Sequence, residues 1–569
     1  MQFRSVAFFG VLVASISCSE NVPEPLAAGD AGTPPDPCPE IAAEEALPPP
    51  GTAIPRWVFE PWISKDISDR ADTYAFVDGF RERGIPVGAV VLDSPWETFY
   101  NTFTPNPSRY GDFPGMVKDM HDRNVKVVLW ITSATNQQSF DFEPGGDAYK
   151  GASPNLDKGL ECKFFIDDGE MYGWWKGKGA FVDFFNPRAR TWWHAQQDQV
   201  LDAGIDGWKL DFGESYITHD DLKTHEGTKR LQEYSERYYE DFLTYGRKKR
   251  GPDFVTMVRA WDESYQFAGR FFAKKEHGPV FWMGDNRRDW VGLEDALDEQ
   301  AISAKAGYSV VGSDIGGYLD RDDKQLTGQG NIIPFDTLNF ARWIASSALS
   351  PFMQLHGRAN LTPWTVPDHV DETVALYKYW ARLHHAIAQW MFERAKLPQP
   401  LLTPIGGKGD HRYVLGDAFL VAPILDETGK RDVAFPDGAR WYDWWTNEAH
   451  EGNTTASTDF SADRAKIPVY VKAGTILKLE LDDPENVLAL DGASFAIWPS
   501  GKSTYGTELT VDDTAANVTV TLTGPTNPIL RVRFDATPAN VTGGTLTKYD
   551  ATTKIAIIQA TGASVVITK

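Results

Sequence analysis

Short apolar runs recur between Arg56 and Leu397, most of them separated by a helix-like segment, and this alternation narrows the fold more than any other feature. The runs are 87–93, 125–131, 180–183, 207–211, 254–259, 279–282, 308–312 and 351–354. Strands that are apolar on both faces need cover on both, and intervening helices supply it in a parallel sheet. Eight of them predict a closed (β/α)8 TIM barrel over residues 56–397, with helices at 114–123, 187–203, 227–249 and 372–395. Residues 140–178 break the alternation with Gly and aromatics, including Tyr172-Gly173-Trp174-Trp175, and are expected to form irregular loops over the barrel mouth.

Beyond the barrel the pattern becomes strand and turn. Residues 413–423 and 466–471 are strand-like, and 518–522 alternate with period two. Two antiparallel β-sandwiches are expected, at 398–480 and 481–569.

In a barrel of this kind, polar residues at the C-terminal strand ends converge on one site. Counting the runs in order, Asp93 ends the first, Asp211 the fourth and Arg259 the fifth. Asp285 follows the sixth, Asp314 the seventh and His356 the eighth. Gathering so many ionisable groups is destabilising unless they have a task. Within the fourth run, alternation puts Lys209 and Asp211 on one face and Trp208 and Leu210 on the other. A buried Lys–Asp neighbour pair is either a structural ion pair or an ammonium that keeps a nucleophilic carboxylate ionised. On that stretch alone the two readings stand even.

No His-x-His or His-Glu-x-x-His spacing, Gly-x-Ser-x-Gly elbow or phosphate-binding loop occurs. His219 and His225, with Asp220, Asp221 and Glu226, could hold a cation, though a solvated face explains them better. No cofactor or metal is therefore expected. The formal charge of −23 offers no basic stripe for nucleic acid. What remains is carboxylate chemistry in a chain with 20 Trp, 20 Tyr and 32 Phe, which suits glycoside hydrolysis by two acids.

The first 18 residues read as an export signal, with a charged start and an apolar run too short to span a bilayer. Ser15-Ile16-Ser17-Cys18 resembles a bacterial lipoprotein cleavage box, with Ser where Leu is usual. Lipidation of Cys18 would tether the protein to a membrane as a periplasmic or cell-surface lipoprotein; the alternative is plain secretion. Residues 19–55, rich in Pro, Ala and Glu, are expected to be a flexible linker. Cys38 and Cys162 could pair in an oxidising compartment. Oligomeric state is not legible.

Lys209-Leu210-Asp211-Phe212-Gly213-Glu214 resembles the nucleophile motif of glycoside hydrolase family 31. Leu92-Asp93-Ser94-Pro95-Trp96, Phe184-Phe185-Asn186-Pro187, Trp282-Met283-Gly284-Asp285-Asn286, Gly312-Ser313-Asp314-Ile315-Gly316-Gly317-Tyr318 and Leu355-His356-Gly357 extend the likeness in order. The resemblance implies a retaining exo-α-glycosidase acting on an α-glucoside, α-xyloside or α-galactoside. Asp211 would be the nucleophile and Asp285 the general acid/base; Asp93, Lys209, Arg259, Trp282, Asp314 and His356 would hold the sugar. Lys at 209 implies the α-xylosidase-like branch, since many α-glucosidases of the family carry Trp there. Alternatives are a sulfoquinovosidase or α-transglycosylase on the same scaffold, or a carbohydrate-binding protein without catalysis. Family members usually carry a β-sandwich before the barrel, and only a linker precedes Arg56 here.

Overall fold

Eight parallel strands close into a barrel in the computed structural model, which describes residues 36–140, 149–265, 268–322, 330–407, 409–479 and 494–569. The strands are β1 (Trp62–Lys65), β2 (Ala89–Leu92), β3 (Lys126–Ile131), β4 (Gly207–Leu210), β5 (Val255–Arg259), β6 (Val280–Met283), β7 (Val311–Ile315) and β8 (Gln354–Leu355). Each pairs with its sequence neighbours, and β1 closes the ring on β8 through Trp62–Gln354 and Ile63–Leu355. The expected export signal, Cys18 and the expected linker up to residue 35 lie outside the described residues. No described helix is long and apolar enough to cross a membrane.

The barrel is the expected one, with one of its strands in a different place along the chain. β1 escaped notice because Trp62-Ile63-Ser64-Lys65 is four residues long and half polar. Residues 180–183, expected as a barrel strand, lie outside the barrel. Gly177–Phe181 instead pairs antiparallel with Ala134–Ser139 and Tyr172–Trp174 in a separate three-stranded sheet inserted after β3. The count agrees again from β4 onward, so Asp211 follows the fourth strand, but Asp93 follows the second and Asp66 the first. The insertion is correspondingly ordered where described, with a helix at Leu156–Glu161; residues 141–148 lie outside the described residues.

Helices cover the barrel where local chemistry starts them. They are α1 (Arg70–Glu82), α2 (Phe113–Asp122), α3 (Pro187–Leu201), α4 (Leu231–Arg250), α5 (Trp290–Lys305), α6 (Thr337–Ala348) and α7 (Val370–Ala386). Asn186 caps α3 through the Arg188 and Ala189 amides, and Pro187 at the first helical position forfeits no bond. Asp289 and Asp336 cap α5 and α6. Residues 227–230 begin no helix: Gly227–Arg230 pairs with Asp221–Thr224 as a hairpin ahead of α4. The long helix expected at 372–395 is broken at Ile387 into α7 and Ala388–Ala395.

Residues 36–55 are not a free linker. Cys38 is buried and disulfide-bonded to Cys162, 124 positions away. Arg188 at the start of α3 donates to Ile41 O at 2.8 Å and also to Cys38 O. His194 on α3 sits between Glu44 and Asp241 of α4. Arg247 near the end of α4 takes the carbonyls of Pro50, Gly51 and Ala53 at 2.9, 2.6 and 2.5 Å. Composition gives no hint of this docking, because the strap is held by scattered contacts: carbonyls, the disulfide, ion pairs of Asp36 and Glu40, and the isolated apolar side chains Ile41, Leu47 and Ile54.

The C-terminal part is β-rich as expected. A six-stranded sheet and a two-stranded partner span Leu402–Pro404 to Val469–Lys472, and two five-stranded sheets follow. Ile476–Lys478 pairs with Phe495–Ile497 of the later sheets, so the second unit starts before residue 481.

Candidate active site

Gly207, Lys209 and Asp211 face into the barrel. Trp208 packs outward against Phe103 and Phe242, the core position its alternation predicts. Asp211 follows the last residue of β4. Its Oδ2 accepts from Trp130 Nε1 at 2.9 Å, and its Oδ1 from the Phe212 amide at 2.9 Å and from Arg259 Nε and Nη2 at 3.3 and 3.2 Å. Both oxygens are thus presented as acceptors from a fixed frame.

Asp285 follows β6 with φ of 64°, a left-handed conformation uncommon outside Gly, though Asp tolerates it better than most residues. Its Oδ2 accepts from Arg259 Nη2 at 2.7 Å. Burial pushes the Asp285 carboxyl up; Arg259 opposes that, while Asp211 and Asp262 add to it. One guanidinium nitrogen therefore touches both carboxylates, at 3.2 and 2.7 Å, so those two oxygens lie no more than 5.9 Å apart.

Arg259 is fully buried, with Nη1 on Asp262 and its guanidinium 4.0 Å from the Phe212 ring centroid and 4.7 Å from that of Trp282. Burial works against its charge, but Asp285, Asp262 and Asp211 more than compensate.

Lys209 does not pair with Asp211, as its place in the sequence suggested. Its Nζ donates to Asp93 Oδ2 at 2.7 Å and to His356 Nε2 at 3.1 Å. Lys209 and Asp211 are next-but-one on a single strand, whereas the closed barrel brings the ends of β2 and β8 toward its axis. Burial opposes the ammonium, but Asp93, Asp314 and Asp211 outweigh it and raise its pKa. Accepting at Nε2 leaves His356 neutral, and burial together with Lys209 holds its pKa well below the ordinary value.

Asp93, Lys209, Asp211, Asp285 and His356 line one small cavity. Arg259, Trp282 and Asp314 stand one layer deeper: Trp282 lies beneath Lys209 and Arg259. Asp314 Oδ1 accepts from Gln354 Nε2 at 2.8 Å, and its Oδ2 is buried with no hydrogen-bond partner among the described residues. Burial pushes Asp314 up to about 7, with Asp285 adding and Lys209 opposing.

The cavity has further walls that sequence reasoning missed: Trp130, Trp175, Lys176, Tyr265 and Tyr318. Trp130 is next-but-one to Val128 and faces Lys209 across the β3–β4 register, so inward alternation could have found it. Trp175 and Lys176 lie at the turn joining Tyr172–Trp174 to Gly177–Phe181, where no sequence signal distinguishes a cavity wall from a packed turn. Asp66, at the end of the missed β1, accepts from Tyr318 OH at 2.8 Å. Glu214 is a loop support, accepting from Ser235 Oγ at 2.9 Å and Tyr239 OH at 3.0 Å.

Among the described residues two clusters have ligand-like spacing, Asp66/Asp93/His356 and Glu44/His194/Asp241. In the first, the Lys209 ammonium already bonds Asp93 and His356. In the second, His194 spends both ring nitrogens on the carboxylates and is pushed up to about 9, burial opposing and Asp241 and Glu44 prevailing. His219 bonds Tyr172 OH at 2.9 Å, and Asp220 pairs with Arg230. None of these sets presents free ligand atoms converging on a vacant centre.

Residues 51–392 match the glycosyl hydrolases family 31 TIM-barrel domain, and residues 394–477 the family's C-terminal domain. The chain belongs to glycoside hydrolase family 31. Among its relatives, a 1,3-alpha-isomaltosidase of Kribbella flavida is 25% identical over 75% of this chain and 62% of its own length. An alpha-xylosidase of Lactiplantibacillus pentosus is 26% identical over 74% of this chain and 54% of its own length. A cycloalternan-forming enzyme from Listeria monocytogenes, solved with a pentasaccharide substrate, superposes with a TM-score of 0.76 at 20% identity. That superposition covers 94% of this chain and 55% of the other. The chain therefore spans little more than half to three-fifths of the length of these proteins.

Proposed function

We propose that this family 31 member is a retaining exo-α-glycosidase working through a covalent glycosyl-aspartate. The observation that carries the reading is the shared contact of Asp211 Oδ1 and Asp285 Oδ2 with one Arg259 nitrogen, which keeps that pair of oxygens within 5.9 Å. Retaining pairs stand about 5–5.5 Å apart, whereas inverting pairs need about 6.5–9.5 Å to admit a water.

The environments divide the roles. Asp211 accepts four hydrogen bonds that fix its two oxygens, which suits attack on the anomeric carbon. Asp285, whose carboxyl burial raises, suits donation to the leaving oxygen and then removal of a proton from water. Asp93, Lys209 and His356, bonded to one another and facing the cavity, would read the sugar's hydroxyls. Arg259 and Trp282 would hold these groups from behind. Asp314 would enter the sugar site only through Lys209 and Gln354.

The small size of the cavity favours a single terminal sugar. A transglycosylase reading stays beside hydrolysis, because the Listeria neighbour covering 94% of this chain is named a cycloalternan-forming enzyme. We also place the reaction outside the cytoplasm; the export-like start and the Cys38–Cys162 disulfide support that.

The test is Asp211→Asn assayed on aryl α-glucosides, α-xylosides and α-galactosides. Turnover should fall by about three orders of magnitude or more while circular dichroism is unchanged, and the wild type should release the α-anomer first by NMR. Near-wild-type turnover in the variant, or a β-anomer first product, would overturn the proposal.

A further inference from the structure

Behind Asp285 lies a buried carboxyl that the reaction as described does not use. Glu299, on α5, is 4% exposed. Among the described residues it forms no ion pair with any Lys or Arg. Its Oε2 accepts from Asn286 Nδ2 at 3.1 Å, and its Oε1 lies 3.5 Å from the Glu263 amide. Asn286 is the residue immediately after Asp285, and its carbonyl accepts from the Leu319 amide at 3.0 Å. Glu263 immediately follows Asp262, the acid that holds Arg259.

We propose that Glu299 is a positioning residue for the proton-transfer step: by fixing the Asn286 side chain it holds the left-handed turn that aims the Asp285 carboxyl. This rests on Asp285 being the general acid. A free peptide would rarely hold φ of 64° at an Asp. Neighbours on both sides must therefore impose it, and Glu299 fixes the C-terminal side. The pair survives either protonation state: an ionised Glu299 accepts from the amide nitrogen, and a protonated one donates to the amide oxygen after a flip. Burial, with Asp262 close by, pushes Glu299 well above the ordinary carboxyl range, so a Gln should replace it well.

The experiment compares Glu299→Ala, Glu299→Gln and Asn286→Ala on α-glycosides with good (dinitrophenyl) and poor (alkyl) leaving groups. Good leaving groups depart without an acid, so only poor ones report on Asp285. In Glu299→Ala, kcat/KM should drop about tenfold on the alkyl glycoside, a fraction of the 10²–10⁴ that general acid catalysis supplies, and by less than about twofold on the dinitrophenyl one. Glu299→Gln should recover the alkyl activity, and Asn286→Ala should mimic Glu299→Ala. Equal losses on both substrates, no loss on either, or a Gln variant as slow as Ala would overturn the proposal. If Glu299→Ala does not fold, the Gln and Asn286→Ala variants decide it by the same ratios. A wild type inactive on both substrates would instead sink the glycosidase reading itself.

Discussion

Replacing Asp314 by Asn should stabilise the protein increasingly as pH rises. In the folded protein its carboxyl is pushed from 3.8 up to about 7 by burial, with Asp285 adding and Lys209 and Gln354 opposing. A raised carboxyl holds its proton in the folded chain while the unfolded chain has lost its own. Its contribution is complete below the unfolded value and is lost as pH climbs through the folded one. The shift of roughly three units, at about 1.4 kcal/mol each, amounts to about 4 kcal/mol of destabilisation above neutrality. Asn never ionises and keeps the Oδ1 acceptor for Gln354 Nε2. The stability difference, variant minus wild type, should therefore grow by about 1.4 kcal/mol per pH unit between about pH 4 and 7, then level off. Urea midpoints read by tryptophan fluorescence between about pH 5 and 8 measure it, because every other titrating group is common to both proteins. Activity should move the opposite way, since the site would lose a carboxylate that faces Lys209. A difference that is flat across the window, or that shrinks as pH rises, would refute the reasoning.

Lys209→Met leaves the Asp93 carboxylate buried without its ammonium, and breaking a buried pair from one side costs about 3–5 kcal/mol. Thermal and urea unfolding at neutral pH should show that loss, and an unchanged midpoint would mean that Asp93 finds another partner. Removing the Cys38–Cys162 bridge by Cys38→Ser should cost about 2–5 kcal/mol. Added reductant should lower the wild-type melting temperature toward that of the variant and leave the variant unmoved.

The barrel was legible because seven of its eight strands carry apolar runs long enough to stand out between helices. β1 was not, since its four residues include Ser64 and Lys65 and a strand inside a closed ring needs little length to pair on both sides. The eight site residues named from the sequence fall within one region because strand-end position is set by the fold. The cavity's side walls were not legible: Trp175, Lys176 and Tyr265 come from connections whose path depends on tertiary packing. The strap at 36–55 was opaque for a related reason. Arg188 and Arg247 grip its carbonyls, and every sequence offers carbonyls.

The reversal at Lys209 shows how the site is divided. Proximity along β4 pointed to Asp211, but closure of the barrel delivers Asp93 from β2 and His356 from β8 to the same ammonium. Asp211 and Asp285 bond Arg259 instead, arriving from β5. Lys209 and Arg259 thus divide the acids of one cavity, Lys209 holding Asp93 beside His356 and Arg259 holding Asp211 and Asp285. Because Lys209 and Arg259 bond different acids, substitution at 209 should leave the Arg259 contacts of Asp211 and Asp285 in place.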